Sequence, residues 1–335
     1  MRYDYLVFIG RFQPFHLGHQ QVVLDALKLS HKIIILIGSV HQPRSVRNPW
    51  SYQERESFIR QSFSKEQNER IVLAPLQDFT YNEPLWIRLV QEIVNSIVHT
   101  KIASKAKIGI IGYEKDKSSY YLSQFPQWDR VEANNVDDIS STDIREEYFA
   151  NGTISTTLGV NVSIGLEKFA KTQAYKEVAN EYHFIKAYKK QWECVPYPPT
   201  FVTVDAIVIQ SGHILLIERK AQPGKGLMAL PGGFVDAHEA LKTAVIRELR
   251  EETRIKVPDP VLAGSITKSA VFDDPYRSAR GRTITHAYLI ELHGETLPKV
   301  KGGDDASNAF WVAFADISPQ MMFEDHFQII KAMVG

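Results

Sequence analysis

Three acidic residues, Glu248, Glu251 and Glu252, close the stretch GFVDAHEALKTAVIRELREETRI at residues 233–255. Glu239 follows Gly233 by six positions, and Arg247 directly precedes Glu248. At about 100° per residue of helix, the three acids share a face with Leu241, Ala244 and Val245. An apolar stripe that should meet a core therefore turns acidic in its last turns. Unpaired buried carboxylates are costly. A divalent cation with oxygen ligands neutralises them, and Mg²⁺ in particular recruits substrate phosphates to complete its shell. The plainer alternative is a solvated charge run. The inward direction of the acids and their fixed distance from Gly233 weigh against it.

A second set of reactive residues lies near the start of the chain, in GRFQPFHLGH at residues 10–19. It follows the first apolar run and opens the first helical pattern, where free backbone N–H groups and the helix dipole favour phosphate. His16 and His19 are three apart and can face one ligand, while Gly18 lets the backbone come close. Two surface histidines at a helix start would be the unremarkable alternative.

These residues need elements to hold them. In the first 150 residues, short apolar runs at 5–9, 32–37, 70–75, 107–111 and 129–133 alternate with helical patterns at 18–30, 52–63, 84–99, 116–123 and 141–150. Continuous Ile/Leu/Val strands separated by helices predict a parallel sheet covered on both faces, with ligands at the strands' carboxyl ends. A long helical pattern at 166–192 runs into VPYPPT at 195–200, which reads as a linker. Strand-like runs at 201–209, 213–218, 283–292 and 308–314 follow, with the acidic helix at 239–253 among them and a helical tail at 324–333. The expected class is α/β: a Rossmann-like doubly wound N-terminal sheet and an α+β C-terminal domain. The expected domains are 1–192 and 201–335, with a linker at 193–200.

Lys plus Arg (39) equals Asp plus Glu (39), which gives no support for non-specific binding to nucleic acid or a membrane surface. The single cysteine, Cys194, excludes an intramolecular disulfide and a cysteine-based zinc site. The N-terminal apolar run is too short for a signal peptide, and no stretch approaches a transmembrane length. A cytoplasmic protein with neither nucleic-acid nor membrane partners is expected. A homo-oligomer is compatible with the chain.

The acidic stretch resembles the Nudix box, Gly-x5-Glu-x7-Arg-Glu-U-x-Glu-Glu-x-Gly-U, in which U is aliphatic. Gly233, Glu239, Arg247, Glu248, Leu249, Glu251, Glu252 and Ile255 match, and Arg254 stands where the family has glycine. The resemblance implies a pyrophosphohydrolase using Mg²⁺ or Mn²⁺ on Glu248, Glu251 and Glu252, with the Gly233 carbonyl in addition. Arg247 would pair with Glu239 or Glu251 and orient the helix. A left-handed backbone is common just past a helix end, and an arginine there costs about 1 kcal/mol.

The histidine stretch resembles the nucleotidyltransferase superfamily with its His-x-Gly-His motif. ISSTDIR at 139–145 resembles that superfamily's second motif, so Ser140, Thr142 and Arg145 would donate to phosphates. GRFQPFHLGH, SVRNPW at 45–50 and NEPLW at 82–86 resemble archaeal-type nicotinamide mononucleotide adenylyltransferases. By that resemblance Gly10, Arg11, Phe12 and Gly18 belong to the nucleotide site, Arg47 holds a triphosphate, and Asn48 and Trp86 hold the nicotinamide end. An aromatic face suits a cationic pyridinium ring, although a core tryptophan on the 84–99 helix is the alternative. Such a fusion resembles the bifunctional adenylyltransferase/Nudix hydrolases, which implies ATP, nicotinamide mononucleotide, NAD and ADP-ribose as partners. The loop FDDPYRSARGR at 272–282 resembles the substrate loop of ADP-ribose-type Nudix proteins, with Arg277 and Arg282 for a pyrophosphate and Tyr276 for adenine. Other substrates on the same folds, or a Nudix domain that only senses ADP-ribose, are the competing readings.

Overall fold

The computed structural model describes residues 1–98, 106–112, 121–133, 139–303 and 306–335. Two compact units divide the chain, Met1–Asn180 and Glu181–Gly335. The first unit contains β1 (Tyr3–Gly10), α1 (Leu17–Leu29), β2 (Ser30–Ile37), α2 (Tyr52–Gln61), α3 (Lys65–Asn68), β3 (Ile71–Pro75) and α4 (Glu83–Val98). It continues with β4 (Ile108–Gly112), β5 (Asp129–Glu132), α5 (Ser141–Asn151), α6 (Val160–Phe169) and the first part of α7 (Gln173–Lys190). The expected helical pattern at 116–123 lies outside the described residues except for 121–123.

The first sheet is parallel throughout, in the order β3-β2-β1-β4-β5. Strand order reverses between β1 and β4, which opens a crevice at their carboxyl ends. Ile33 to Ile37 of β2 are fully buried, as a parallel strand covered on both faces must be. On one face Val7, Ile34 and Leu36 pack with Val90 and Val94 of α4. Ser51 and Glu54 form a reciprocal cap that starts α2.

The helix expected over 166–192 is two helices, α6 and α7. Between them the Thr172 hydroxyl accepts from Tyr175 N (3.1 Å) and donates to Phe169 O (2.7 Å). A threonine at a helix start satisfies an otherwise orphaned N–H, and this cap restarts the chain as a new helix.

The second unit carries β6 (Thr200–Gln210), β7 (His213–Arg219), β8 (Met228–Ala229), β9 (Gly232–Phe234), α8 (Leu241–Thr253), α9 (Asp259–Gly264), β10 (Ile266–Phe272), β11 (Arg282–Glu291), β12 (Ala306–Ala313) and α10 (His326–Val334). The mixed sheet runs β10-β11-β6-β7-β12, with β8 on β7 and β9 on β6. β6 and β7 are joined by Ser211 and Gly212, both at positive φ (48° and 73°), the geometry of a two-residue hairpin turn. Ala244, Val245 and Leu249 of α8 bury against Val204, Ala206 and Val208 of β6.

α8 ends at Arg254 in the left-handed conformation, φ 48° and ψ 32°. The departure from the box motif is therefore a strained residue, and its side chain lies beside Gly303. Arg254→Gly should raise stability by a few tenths to about 1 kcal/mol, since glycine relieves the strain but adds unfolded-state entropy. Hydrolysis should persist. A melting temperature that falls, or a Michaelis constant for the hydrolysed substrate that rises severalfold, would instead give Arg254 a role at the phosphates.

Two candidate active sites

β1 delivers the first site. Gly10, its last residue, is required by packing: a Cβ there would lie 2.8 Å from the Phe12 ring. Phe12 sits at φ 52°, held by edge contacts to Phe8 (5.2 Å) and His19 (5.0 Å). His16 is the N-cap of α1. His19 N donates to His16 Nδ1 (3.4 Å) and His16 N donates to His19 Nδ1 (3.3 Å). The rings stack with centroids 3.6 Å apart. A backbone N–H on each Nδ1 places the ring proton of each neutral imidazole on Nε2. Burial and the neighbouring His16 push the His19 pKa well below its ordinary value, so it is a neutral donor. Gly18 lies beside the His16 ring and within reach of Ile139, which brings the second motif against the first.

The 139–145 motif starts α5, with Ser140 as N-cap accepting from Asp143 N. Arg145 is buried and donates to Val46 O (3.1 Å), Gln13 O (2.6 Å), Ser141 O (3.0 Å) and Thr142 Oγ1 (3.3 Å). The sequence reading made Arg145 and Thr142 direct phosphate donors. In the structure Arg145 ties together the 10–15 and 45–50 loops, and Thr142 accepts from Arg145. Gln13 pairs with the backbone of buried Trp50 (2.9 and 3.1 Å), and Arg55 donates to Arg11 O and Gly38 O. The sequence reading passed over Gln13, because only the folded loops bring residues 13 and 50 together.

What remains is a basic pocket edge. Burial, then the charge of Arg47, pushes the Arg11 pKa down to about 10. Burial, then Arg11 and Arg47, takes Arg145 down to about 9. The three guanidinium groups oppose one another's charge, with Asp78 beside Arg11 and Glu146 and Asp143 beside Arg145 offsetting part of it, and such a cluster suits an anion. Arg11 Nη1 and Asn48 Oδ1 are buried without hydrogen-bond partners, which is costly unless a ligand meets them. Trp86, on the first turn of α4, is half-buried, with its ring near Tyr121 (6.3 Å) and Phe125 (6.2 Å). The Tyr121 hydroxyl donates to Ile9 O, beside Gly10.

The second site forms where α8 meets β9. Glu252 is buried and accepts from Gly232 N (2.9 Å). A Cβ at Gly233 would lie 2.5 Å from the Glu248 carboxylate, so a larger residue would push that carboxylate from its place. Arg247 bonds to Glu239 (2.8 and 2.9 Å), Glu248 (2.8 Å) and Glu251 (3.0 Å). Burial above all, with Glu248 adding negative charge, pushes the Glu252 pKa up to about 8. This all-oxygen set, with a carboxylate destabilised in its charged form, fits a hard divalent cation. Among the described residues no three acids or histidines yet form a complete ligand cluster. The Glu251 side chain is 44% exposed and pairs with Arg247 at 3.0 Å. The three acids are thus graded in burial, rather than all lying on the buried side as the helical wheel implied.

The 272–282 loop differs more from expectation. Arg277 is buried and paired through two hydrogen bonds with Asp325 (2.9 and 3.0 Å), so it braces the fold instead of facing a pyrophosphate. Arg282 donates to Asp273 O. Tyr276 is 72% exposed. The third arginine of the loop, Arg280, was not singled out. It lies over the Phe234 ring (5.2 Å), and its Nε is buried without a hydrogen-bond partner. Asp205, Asp325 and His326 were also missed. Asp205 accepts from Thr285 Oγ1 (2.5 Å), and His326 Nδ1 accepts from Leu230 N (2.9 Å). Burial takes the His326 pKa down to about 3. A lone acid inside the apolar run VTVDAIVI was the one local signal available for Asp205.

A doubly wound sheet with paired histidines at its first helix, followed by a glutamate-rich helix on a mixed sheet, defines a nucleotidyltransferase joined to a Nudix hydrolase. The NUDIX domain model matches residues 199–333 and the Cytidylyltransferase-like model matches 7–147. The nicotinamide/nicotinic acid mononucleotide adenylyltransferase of Acinetobacter baylyi is 37% identical over 182 residues, covering 54% of this chain and 94% of that protein. The ADP-ribose pyrophosphatase of Methanocaldococcus jannaschii is 40% identical over 132 residues, covering 39% of this chain and 70% of that protein. The crystal structure of a bifunctional NMN adenylyltransferase/ADP ribose pyrophosphatase from Francisella tularensis, complexed with AMP and a manganese ion, is 37% identical. It matches with a TM-score of 0.93 over 99% of this chain and 98% of that one. The chain belongs to the family of bifunctional nicotinamide mononucleotide adenylyltransferase/ADP-ribose pyrophosphatases.

Proposed function

We propose that residues 1–192 join ATP and nicotinamide mononucleotide into NAD and pyrophosphate, and that residues 201–335 hydrolyse ADP-ribose to AMP and ribose 5-phosphate, with 193–200 as linker. The observation that carries the first half is the reciprocal histidine cap beside Arg11, Arg47 and Arg145. A mononucleotide phosphate is already anionic at neutral pH and needs no base to attack the α-phosphorus. The new P–O bond forms as the bond to the β-phosphate breaks and pyrophosphate leaves. Nε2–H donors from His16 and His19 and the arginine charges lower the energy of the charge that builds on the phosphoryl oxygens. The protein's task is mainly to hold the two phosphates in line.

Trp86 carries the nicotinamide assignment, with Asn48 as its polar partner. Trp86→Ala should raise the Michaelis constant for nicotinamide mononucleotide by roughly five- to thirtyfold, matching about 1–2 kcal/mol of cation–π stacking, and change that for ATP little. A collapse in melting temperature with unchanged affinity would make Trp86 a packing residue only.

In the hydrolase, Glu248, Glu252 and Glu251, with the Gly233 carbonyl, would hold Mg²⁺ or Mn²⁺. A bound divalent ion supplies charge neutralisation for the pyrophosphate and an activated water. Arg247 fixes Glu239, Glu248 and Glu251 relative to one another, and Gly232 N fixes Glu252. Among the described residues no helix is long and apolar enough to cross a membrane, and we place the enzyme in the cytoplasm. A panel of mononucleotides with ATP, and of nucleoside diphosphate sugars with Mg²⁺, tests the reading. A clear preference for an acceptor other than nicotinamide mononucleotide, or for a sugar nucleotide other than ADP-ribose, overturns the corresponding half.

A further inference from the structure

We propose that Trp192 and Phe201 form the platform on which the adenine of the hydrolase substrate stacks. The subsite for the base is then built partly from chain that precedes the Nudix fold. The assignment rests on ADP-ribose being the substrate.

The rings form a continuous path away from the acidic helix. Phe234 follows Gly233 directly and is 39% exposed. Its ring lies 5.7 Å from Phe201, which meets Trp192 edge-on at 5.2 Å. Tyr188, on the last turns of α7, backs both rings at 6.5 Å and 6.0 Å. Trp192 keeps 38% of its surface exposed. None of these rings belongs to the core clusters beneath α8 or around Phe323. A contiguous exposed aromatic surface is unfavourable in water and marks a binding site more often than scattered apolar residues do.

The charges beside this path say what it binds. Arg280 lies over Phe234, with its Nε buried and unpartnered, so it can donate to a phosphate oxygen. Gly281, at φ 153°, carries the arginine loop past Phe201, where a Cβ would come within 3.2 Å of that ring. A pyrophosphate between the carboxylate-bound metal and Arg280 leaves its nucleoside one ring further out. Phe201 and Trp192 are the next rings beyond Phe234 along that path. Planar purines stack well on such rings, and each stacked base contributes about 1–3 kcal/mol. The exposed Tyr276, expected from the sequence to hold adenine, is not needed for this path.

The test uses the full chain and compares Trp192→Ala, Trp192→Phe and Tyr276→Ala on ADP-ribose and UDP-ribose. Trp192→Ala should raise the Michaelis constant for ADP-ribose about tenfold with kcat nearly unchanged. It should erase most of the purine preference, while Trp192→Phe restores most of both. NAD synthesis and melting temperature should not move. AMP should quench tryptophan fluorescence in the wild type and in Tyr276→Ala, and quench it less in Trp192→Phe. Unchanged constants in Trp192→Ala, or equal losses on both substrates, overturn the platform, as does an effect confined to Tyr276→Ala. If the wild type fails to cleave ADP-ribose, the functional reading fails instead. The AMP quench then still decides whether Trp192 meets a base.

Discussion

His16→Asn should abolish NAD synthesis while the protein folds normally and ADP-ribose hydrolysis continues. The choice of asparagine follows from the dual role of His16. Its Nδ1 caps α1 by accepting from His19 N, and its other nitrogen is the donor available to phosphate chemistry. Asparagine is among the best N-cap residues, so the helix start survives, whereas alanine would also cost about 1 kcal/mol of capping. Losing one charge-stabilising donor typically lowers turnover by roughly a hundred- to a thousandfold. His19→Ala should do the same by removing the stacked partner ring. It should also alter the acid side of the stability profile. Burial and His16 hold the folded His19 pKa well below its unfolded value of about 6.5. The unfolded chain therefore binds a proton that the folded chain refuses. The stability tied to this histidine is complete above about pH 6.5 and is lost as pH falls below it. His19→Ala should flatten that loss. Assays of both reactions, with melting curves from pH 8 to pH 5, check these outcomes. Equal loss of both activities would contradict two separate sites.

How far the sequence could be read depended on whether the decisive neighbour was local. The central strands of the parallel sheet were legible because residues such as Ile33 to Ile37 are buried on both faces and leave an unbroken apolar run, whereas the edge strand β5 is mostly exposed. The left-handed end of α8 was legible because Arg254 stands where the box motif has glycine just past the helix end. β10 escaped notice because it is an edge strand whose ITKSAVF run is mostly exposed, so no alternation marks it. The break between α6 and α7 escaped because Thr172 caps within an otherwise helical pattern. At the candidate sites, types and spacing singled out His16 and His19, which the structure pairs, and Glu248 and Glu252, which it sets beside Gly233 and Gly232, but not the use of each guanidinium. Arg277 and Arg280 are three residues apart in one loop. Whether each braces the fold or faces a ligand depends on Asp325 and Phe234, which are far away in the chain. Composition cannot express that distinction.

Glu252→Gln and Glu251→Gln should both remove ADP-ribose hydrolysis and spare NAD synthesis, yet only Glu252→Gln should raise metal-free stability. Glu252 is buried, and burial raises its folded pKa to about 8, above an unfolded value near 4.5. Above pH 8 the carboxylate is charged in both states, and the folded protein bears its full desolvation cost. As pH falls the folded state takes up a proton first and the cost shrinks, and below about pH 4.5 it vanishes. Glutamine keeps the shape and an oxygen for Gly232 N–H while deleting the charge. The metal-free Glu252→Gln protein should therefore melt higher than wild type at pH 8.5, with the gap closing toward pH 5. Glu251 is 44% exposed and paired with Arg247 at 3.0 Å. Its loss removes a favourable pair of about 0.2–1 kcal/mol and should lower stability slightly or not at all. Saturating Mg²⁺ should reverse the order at pH 8.5, because a bound cation stabilises only a folded chain that retains its ligands. Three observations decide the assignment: melting temperature with and without Mg²⁺, its trend with pH, and turnover of ADP-ribose. A Glu252→Gln enzyme with full turnover and unchanged Mg²⁺ dependence would remove Glu252 from the metal site, whatever its effect on stability.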